Sequence, residues 1–212
     1  SHRDFADGWI KNSRHHLDLF TLPARFWKWR MRGAALYFAK KVQTPADYDG
    51  LITSSLISLS DLKALWGADC PRALVYFHEN QLSYPLPHRQ VMDYQFGFTD
   101  VTTGLVADRV LFNSQTHKDA FFGSLPGFLK MMPEYRPNWV VEQILAKAAV
   151  LYPGCNYPAA PANLSPWDLS KPPLIIWNHR WEFDKSPEIF LAGPGAVLSL
   201  GYEFSGTLPV AN

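Results

Sequence analysis

The sequence predicts an α/β fold with a parallel sheet, followed by the start of a second α/β domain. Short apolar runs of strand length alternate with longer stretches of helical character, which is typical of parallel strands joined by helices that cover both faces of the sheet. Six prolines between Pro153 and Pro173 then interrupt regular structure, and a new apolar run begins at Leu174. A chain of 212 residues that is 47% hydrophobic can bury one complete core and part of another.

The first domain is predicted to comprise residues 1–152. The elements in its first half are bounded by clear start and stop signals. Pro23 ends a short apolar run, and Ser60 is the expected N-cap of a short helix. The third strand is the clearest, because Leu74–Phe77 form a continuous apolar run typical of a buried parallel strand. The predicted elements are a strand over 17–22, a helix over 26–42, a strand over 50–54, a helix over 61–66 and a strand over 73–78.

The remaining elements continue the alternation of helix and strand. Ser114 is the expected N-cap of the second helix of this half. The predicted elements are a helix over 90–107, a strand over 109–112, a helix over 115–122, a helix over 139–148 and a strand over 149–152. Residues 153–172 are expected to be a linker, and 173–212 the opening of the second domain. There we expect a strand from Leu174, a helix from Ser186 cut short by Gly193, Pro194 and Gly195, and a strand near 196–200.

Composition and charge narrow the classes of function. No apolar run approaches the roughly 20 residues that span a bilayer, and the N-terminus has no secretory signal, so we expect a cytoplasmic protein without a membrane partner. The two cysteines lack the spacing of metal ligands, and no metal site is predicted. Residues 1–41 hold nine Lys or Arg against three Asp or Glu. This end of the chain therefore favours a polyanion.

The polar segment after the clearest strand is a candidate site. His78, Glu79 and Asn80 stand at the carboxyl end of that strand, where open α/β sheets place ligands and catalytic groups. An imidazole there can exchange a proton or bond to a sugar or phosphate oxygen. The alternatives are that His78 only satisfies a loop carbonyl while Glu79 is solvated, or that His78 binds a metal, for which no second ligand is suitably spaced.

A basic and aromatic segment is a candidate RNA-binding surface. Cations that alternate with flat rings suit RNA, since phosphates take the charges and bases stack on the rings. On a helix Trp27 and Trp29 lie about 200° apart, so one ring is expected in the core. The alternatives are an amphipathic helix with a solvated basic face, or a helix on a membrane surface. The cations are Arg25, Lys28, Arg30 and Arg32, and they alternate with Phe26, Trp27, Trp29 and Met31.

A third candidate follows the apolar run at 173–177. Arg180 and Lys185 lie just beyond it and could grip adjacent phosphoryl groups of a diphosphate. The alternative is that they form ion pairs with Glu182 or Asp184.

Several segments together resemble the tRNA-queuosine α-mannosyltransferase family, in the family's order. The most specific are Phe77-His78-Glu79-Asn80-Gln81 and His179-Arg180-Trp181-Glu182-Phe183-Asp184-Lys185. The other segments are 21–30, 82–85, 93–97 and 112–114. The resemblance runs from Ser1 to about Phe190.

The resemblance implies a retaining GT-B glycosyltransferase, in which two Rossmann-like domains transfer mannose from GDP-mannose to queuosine in tRNA. It implies no metal and no protein nucleophile, but front-face attack with electrostatic support of the departing diphosphate. Arg180 and Lys185 then match the residues that hold the donor diphosphate. His78 corresponds to the histidine that faces the reacting sugar, beside Glu79, and His2 belongs to the donor-facing loop after the family's first strand. Asn80 and the basic segment would contact the acceptor.

The resemblance also implies that parts of the family's architecture lie outside this sequence. The first strand with its Gly-Gly pair would precede Ser1, and the acidic motif that holds the donor's sugar and ribose is absent. We therefore expect a truncated second domain and a fragment without turnover. Two alternatives stay open: a non-catalytic RNA-binding module, and a related retaining glycosyltransferase with another acceptor.

Overall fold

The computed structural model describes residues 2–89, 91–154, 174–177, 179, 181–199 and 205–207. The chain divides into two compact units. One unit comprises Ser1–Tyr84 and Val91–Cys155, and the other comprises Pro85–Gln90 and Asn156–Asn212.

The first unit is an α/β domain around a four-stranded sheet. All neighbouring strands pair in parallel, in the order β1-β2-β3-β4. Successive strands are joined by helices, as parallel pairing requires. The elements are α1 (His2–Asn12), α2 (Trp27–Lys41), β1 (Leu51–Ser54), α3 (Leu59–Trp66), β2 (Ala73–Phe77), α4 (Tyr94–Val106), β3 (Arg109–Phe112), α5 (Gln115–Lys130), α6 (Trp139–Leu145) and β4 (Ala148–Val150).

One face of the sheet carries the main core. Alternate residues of β2 and β3 point to this face, among them the fully buried Val75, Phe77, Val110 and Phe112. The rings of Phe77 and Phe112 stack at 5.2 Å, and Phe121 of α5 packs 5.3 Å from Phe112. This aromatic cluster anchors the last residue of β2, and so the start of the segment that follows it.

The other face is covered less completely than predicted. The ring of Phe5, on α1, stacks 4.3 Å from the ring of Tyr76, which is buried on this face. Ile52 shares the face, since it pairs with Leu74 in the register, yet it is 43% exposed. Helix α1 thus covers the part of this face around Tyr76.

Most predicted elements of this unit are confirmed, with corrections at their ends. The N-cap of α3 is Ser58, whose hydroxyl accepts from the Asp61 amide, and not Ser60. The helix α5 extends eight residues past Phe122, through Pro126 to Lys130, because Leu125, Phe128 and Leu129 bury a continuous apolar stripe. That burial outweighs the hydrogen bond that the proline cannot make.

The predicted strand over 17–22 is wrong. These residues are irregular, and Leu19 and Phe20 are 50% and 37% exposed. Within the described part of the chain no strand pairs with them, and an extended segment needs a partner to satisfy its backbone groups.

The second unit contains a parallel pair, β5 (Leu174–Ile176) and β6 (Ser205–Thr207), with α7 (Pro187–Ser199) between them in the chain. The predicted interruption at Gly193, Pro194 and Gly195 is wrong, because α7 runs through all three. The strand predicted near 196–200 is therefore also wrong, and the second strand begins at Ser205. A parallel pair requires a crossover of this kind, and α7 supplies it. None of the helices in the described regions is both long and apolar enough to span a membrane.

Close packing of α4 against α5 depends on Gly97. A Cβ at this position would lie 2.6 Å from the Phe128 ring and 3.1 Å from Leu82. We expect Gly97→Ala to lower the free energy of unfolding by about 1–2 kcal/mol despite the better helix propensity of alanine. Gly123→Ala on α5 is the matched control: its Cβ meets open space, so a gain of about 0.5–1 kcal/mol is expected. Urea unfolding measures both, and equal effects at the two positions would contradict the packing argument.

Candidate functional site

The candidate site lies at the carboxyl ends of β2 and β3. Phe77 and Phe112 are register partners at the ends of these strands, so His78 and Asn113 follow side by side. The predicted position of His78 at the carboxyl end of the clearest strand is confirmed, although that strand ends at Phe77.

Three side chains from three other parts of the domain hold the backbone of residues 78–81. The Asn113 amide donates to the His78 carbonyl at 2.7 Å, and the Ser55 hydroxyl donates to the Glu79 carbonyl at 2.8 Å. The Gln81 amide donates to Asp100 Oδ2 at 2.6 Å. Ser55 follows β1, Asn113 follows β3 and Asp100 lies on α4. The segment is thus held in one conformation before any ligand arrives, which is the preorganisation that binding sites need.

The His78 imidazole lies in an aromatic surrounding. Its ring stacks on His2 at 4.0 Å and meets Tyr76 at 4.6 Å and Phe5 at 5.0 Å, both edge to face. Burial, and to a smaller extent the nearby His2, lower the pKa of His78 from 6.5 to about 4. At neutral pH His78 is therefore uncharged, and it can accept or donate a hydrogen bond but cannot supply a positive charge.

His2 is placed differently from the prediction. It is the first residue of helix α1 and not part of a loop. Its ring nevertheless reaches the site, since it stacks on His78. Partial burial lowers the pKa of His2 as well.

Asn80 is directed into its own loop. It is 3% exposed, its carbonyl oxygen accepts from the Ser83 amide at 2.9 Å, and its Nδ2 donates to the Ser83 hydroxyl at 2.9 Å. A contact from this side chain to an acceptor RNA would require these bonds to break. In this structure Asn80 shapes the turn that follows Glu79.

Two further groups of the site were not predicted from the sequence. His117, on α5, places Nδ1 3.0 Å from Asn113 Oδ1, and burial lowers its pKa. Asp100 is 1% exposed, and burial raises its pKa to about 8, with the Glu79 charge acting in the same direction. One signal was present: Asp100 follows Phe96 and Gly97 by four and three residues, on the helix face that is buried.

No three His, Cys, Asp or Glu side chains come together as a metal site in the described residues.

The match to a known protein family ends at the residue where the first unit ends. Residues 1–155 match the family model described as tRNA-queuosine alpha-mannosyltransferase N-terminal. The chain belongs to this family. The tRNA-queuosine alpha-mannosyltransferase of Drosophila melanogaster is 37% identical over 201 residues, which are 90% of this chain and 53% of the fly protein. The chain thus spans about half the length of that curated relative. No solved structure matches.

In this member of the tRNA-queuosine α-mannosyltransferase family, helix α2 exposes both of its tryptophans. Trp29 is 80% exposed and Trp27 is 42% exposed, although Trp27 contacts Phe96 at 5.1 Å. The expectation that one ring lies in the core is therefore wrong. Arg25 and Lys28 lie beside aromatic rings, with Arg25 Cζ 5.9 Å from the Phe26 ring and Lys28 Nζ 5.7 Å from the Trp27 ring.

The other two cations of this segment differ in their surroundings. Arg32 links α2 to its neighbours, since its Nη1 lies 3.4 Å from Thr99 Oγ1 and 3.8 Å from Asp61 Oδ2. Arg30 is half-buried. The exposed cations of this segment are thus Arg25, Lys28 and Arg32, of which Arg32 also contacts Asp61 and Thr99.

In the second unit, Lys185 forms the predicted alternative contact. Its Nζ donates to Asp184 Oδ2 at 2.7 Å, within the 3-10 helix Phe183–Lys185. Arg180 lies outside the described residues. A role of this pair on a donor diphosphate stays a prediction.

Proposed function

We propose that this chain takes part in the transfer of mannose from GDP-mannose to queuosine in tRNA, with retention of configuration. The observation that supports it is the family match over residues 1–155, together with a held segment at the carboxyl edge of the sheet. The fly relative, by its name, is a mannosyltransferase of tRNA queuosine. The proposal includes a GT-B arrangement, the cytoplasm as compartment and no metal cofactor.

In the proposed reaction the bond between the mannose anomeric carbon and the departing phosphate oxygen breaks, and a bond to an acceptor hydroxyl forms on the same face. The hydroxyl proton passes to the departing diphosphate. His78, uncharged at neutral pH, would hydrogen-bond the reacting sugar, with Glu79 beside it. Arg180 and Lys185 would balance the charge of the diphosphate, and His2 would help to bind the donor.

The test is a transfer assay with the product of the complete coding sequence that contains this chain. Labelled GDP-mannose is incubated with tRNA that carries queuosine and with the same tRNA that carries guanosine. We expect label only on the first. Transfer to neither would overturn the proposal, and transfer to a different acceptor would favour a related glycosyltransferase.

One observation favours a second candidate, an RNA-binding module. The N-terminal end of α2 exposes Trp29 between cations, and residues 19–46 contain no Asp or Glu. The same surface would serve the enzyme as its acceptor contact. An RNA-binding module would bind the tRNA but would transfer no sugar.

RNA contact by this segment predicts a specific loss of affinity. We expect Trp29→Ala to weaken binding of a tRNA anticodon stem-loop about tenfold, since base stacking on an aromatic ring contributes about 1–3 kcal/mol. Replacing Arg25 and Lys28 together by alanine should reduce the slope of log K against log salt by about 1.4 if they contact single-stranded RNA.

The matched control is Lys130→Ala, an exposed cation at the end of α5. Filter binding at several salt concentrations measures all variants. If Lys130→Ala reduces the slope of log K against log salt by half as much as the double variant does, one cation has the same effect at either place. The charge effect is then not specific to α2.

A further inference from the structure

Asp100 differs from the other side chains that hold residues 78–81. It is almost completely buried on α4, and its Oδ2 accepts the Gln81 amide at 2.6 Å. Its other oxygen, Oδ1, is also buried and has no hydrogen-bond partner within the described residues. Burying a carboxyl group with one oxygen unpaired is costly. An apolar residue would avoid that cost but could not accept a hydrogen bond from Gln81.

The helix around Asp100 is packed against the same segment. Gly97, one turn earlier, allows Leu82 and Phe128 to approach α4 closely, because any Cβ there would collide with the Phe128 ring. Leu82 itself is 5% exposed and belongs to the main core. Helix α4 thus makes two adjacent contacts with the segment: a hydrogen bond between Asp100 and Gln81 and apolar packing at Gly97 against Leu82.

We propose that Asp100 is a positioning residue of the candidate site: its carboxyl fixes the Gln81 amide and thereby the backbone from which His78 and Glu79 extend. The proposal deepens the proposed function, and its importance for transfer rests on that function. It requires no contact between Asp100 and a substrate, because the residue is buried and acts through the loop.

The charged groups near Asp100 come from the segment and from α2. Glu79 belongs to the segment, and its charge adds to burial in raising the pKa of Asp100 to about 8. Arg32, on α2, contacts Thr99, the residue before Asp100 on α4. Near neutral pH the Asp100 carboxyl is therefore mostly protonated, and it ionises only in mildly alkaline solution.

The test follows the Gln81 amide and the His78 ring by NMR in the chain as it is. In the wild type we expect the Gln81 amide shift to titrate with a midpoint near pH 8, and this titration should vanish in Asp100→Asn. Asp100→Asn keeps an acceptor oxygen and should retain slow Gln81 exchange and the native His78 signals. Asp100→Leu removes the acceptor, and Gln81 exchange should become about tenfold faster while the His78 signals shift.

Thr103→Val is the matched control. Thr103 is fully buried on the same helix, but its hydroxyl bonds the Leu59 amide and the Ile57 carbonyl and not residues 78–81. Three outcomes would overturn the proposal: unchanged Gln81 exchange in Asp100→Leu, unchanged His78 signals in Asp100→Leu, or equal shifts in Thr103→Val. If Asp100→Leu does not fold, Asp100→Ala, which also lacks the acceptor but adds no bulk, is measured in its place.

These readouts do not depend on sugar transfer. If the product of the complete coding sequence transfers no mannose but Asp100→Leu alters Gln81 exchange and the His78 signals as expected, the proposed function fails and the positioning role stands. If that product transfers mannose but Asp100→Leu leaves Gln81 exchange and the His78 signals unchanged, the proposed function stands and the positioning role fails.

Discussion

Replacement of His78 by alanine is expected to lower mannose transfer about 100-fold or more, which is the lower end of what a positioned acid, base or hydrogen-bonding group contributes. The ring stands at the carboxyl end of β2, and the main-chain carbonyl of the same residue is fixed by Asn113. Loss of the ring therefore removes the functional group without removing the bond that holds the segment. The measurement is kcat and KM of the product of the complete coding sequence, with GDP-mannose and queuosine-containing tRNA as substrates.

The pH dependence of mannose transfer gives a second test of the role of His78. With the pKa of His78 lowered to about 4, the ring is neutral throughout the range from pH 5.5 to 8, and the His78-dependent part of the rate should be constant there. His15→Ala, in an exposed loop of the same domain, is the control and should leave the rate unchanged. Transfer by His78→Ala within about threefold of the wild type would exclude the proposed role.

The second large effect is expected in the pH dependence of the free energy of unfolding. The folded protein holds the Asp100 proton up to a pKa of about 8, whereas the unfolded chain releases it near 3.8. Between these values the folded state binds more protons, so the Asp100 contribution to the free energy of unfolding falls as pH rises. Below pH 3.8 both states are protonated and this penalty is absent.

Asp100→Asn cannot ionise and should escape this loss. Its free energy of unfolding, relative to the wild type, should grow by about 3 to 4 kcal/mol between pH 5 and pH 8. The buried amide changes the free energy of unfolding equally at both pH values, because it does not titrate. Urea unfolding at the two pH values measures it, with Asp69→Asn at an exposed position as control. A constant difference between Asp100→Asn and the wild type would show that the Asp100 carboxyl is not held protonated.

Elements with a strong local signal could be predicted from the sequence. The continuous apolar run of β2 and the N-cap Ser114 are local features, and both are found as predicted. The strand over 17–22 has the same kind of apolar composition, but a strand also needs a pairing partner, which is a non-local condition. The helix α7 shows the opposite error, since local breakers did not end it.

The position of His78 at the sheet edge also followed from the sequence, because parallel strands end at a common edge and a polar residue after a buried strand marks it. Its protonation state did not follow, because that depends on His2, Phe5 and Tyr76 packing around the ring.

By itself the sequence determined the α/β class, the succession of the main strands along the chain and the placement of His78, since these depend on residues near one another in the chain. Only the tertiary structure decided how the segment 78–81 is held. The residues that hold it lie 19, 24 and 35 positions away, on α4 and beyond β1 and β3. Folding brings these groups together in a buried setting, and burial also sets the charge of His78 and Asp100.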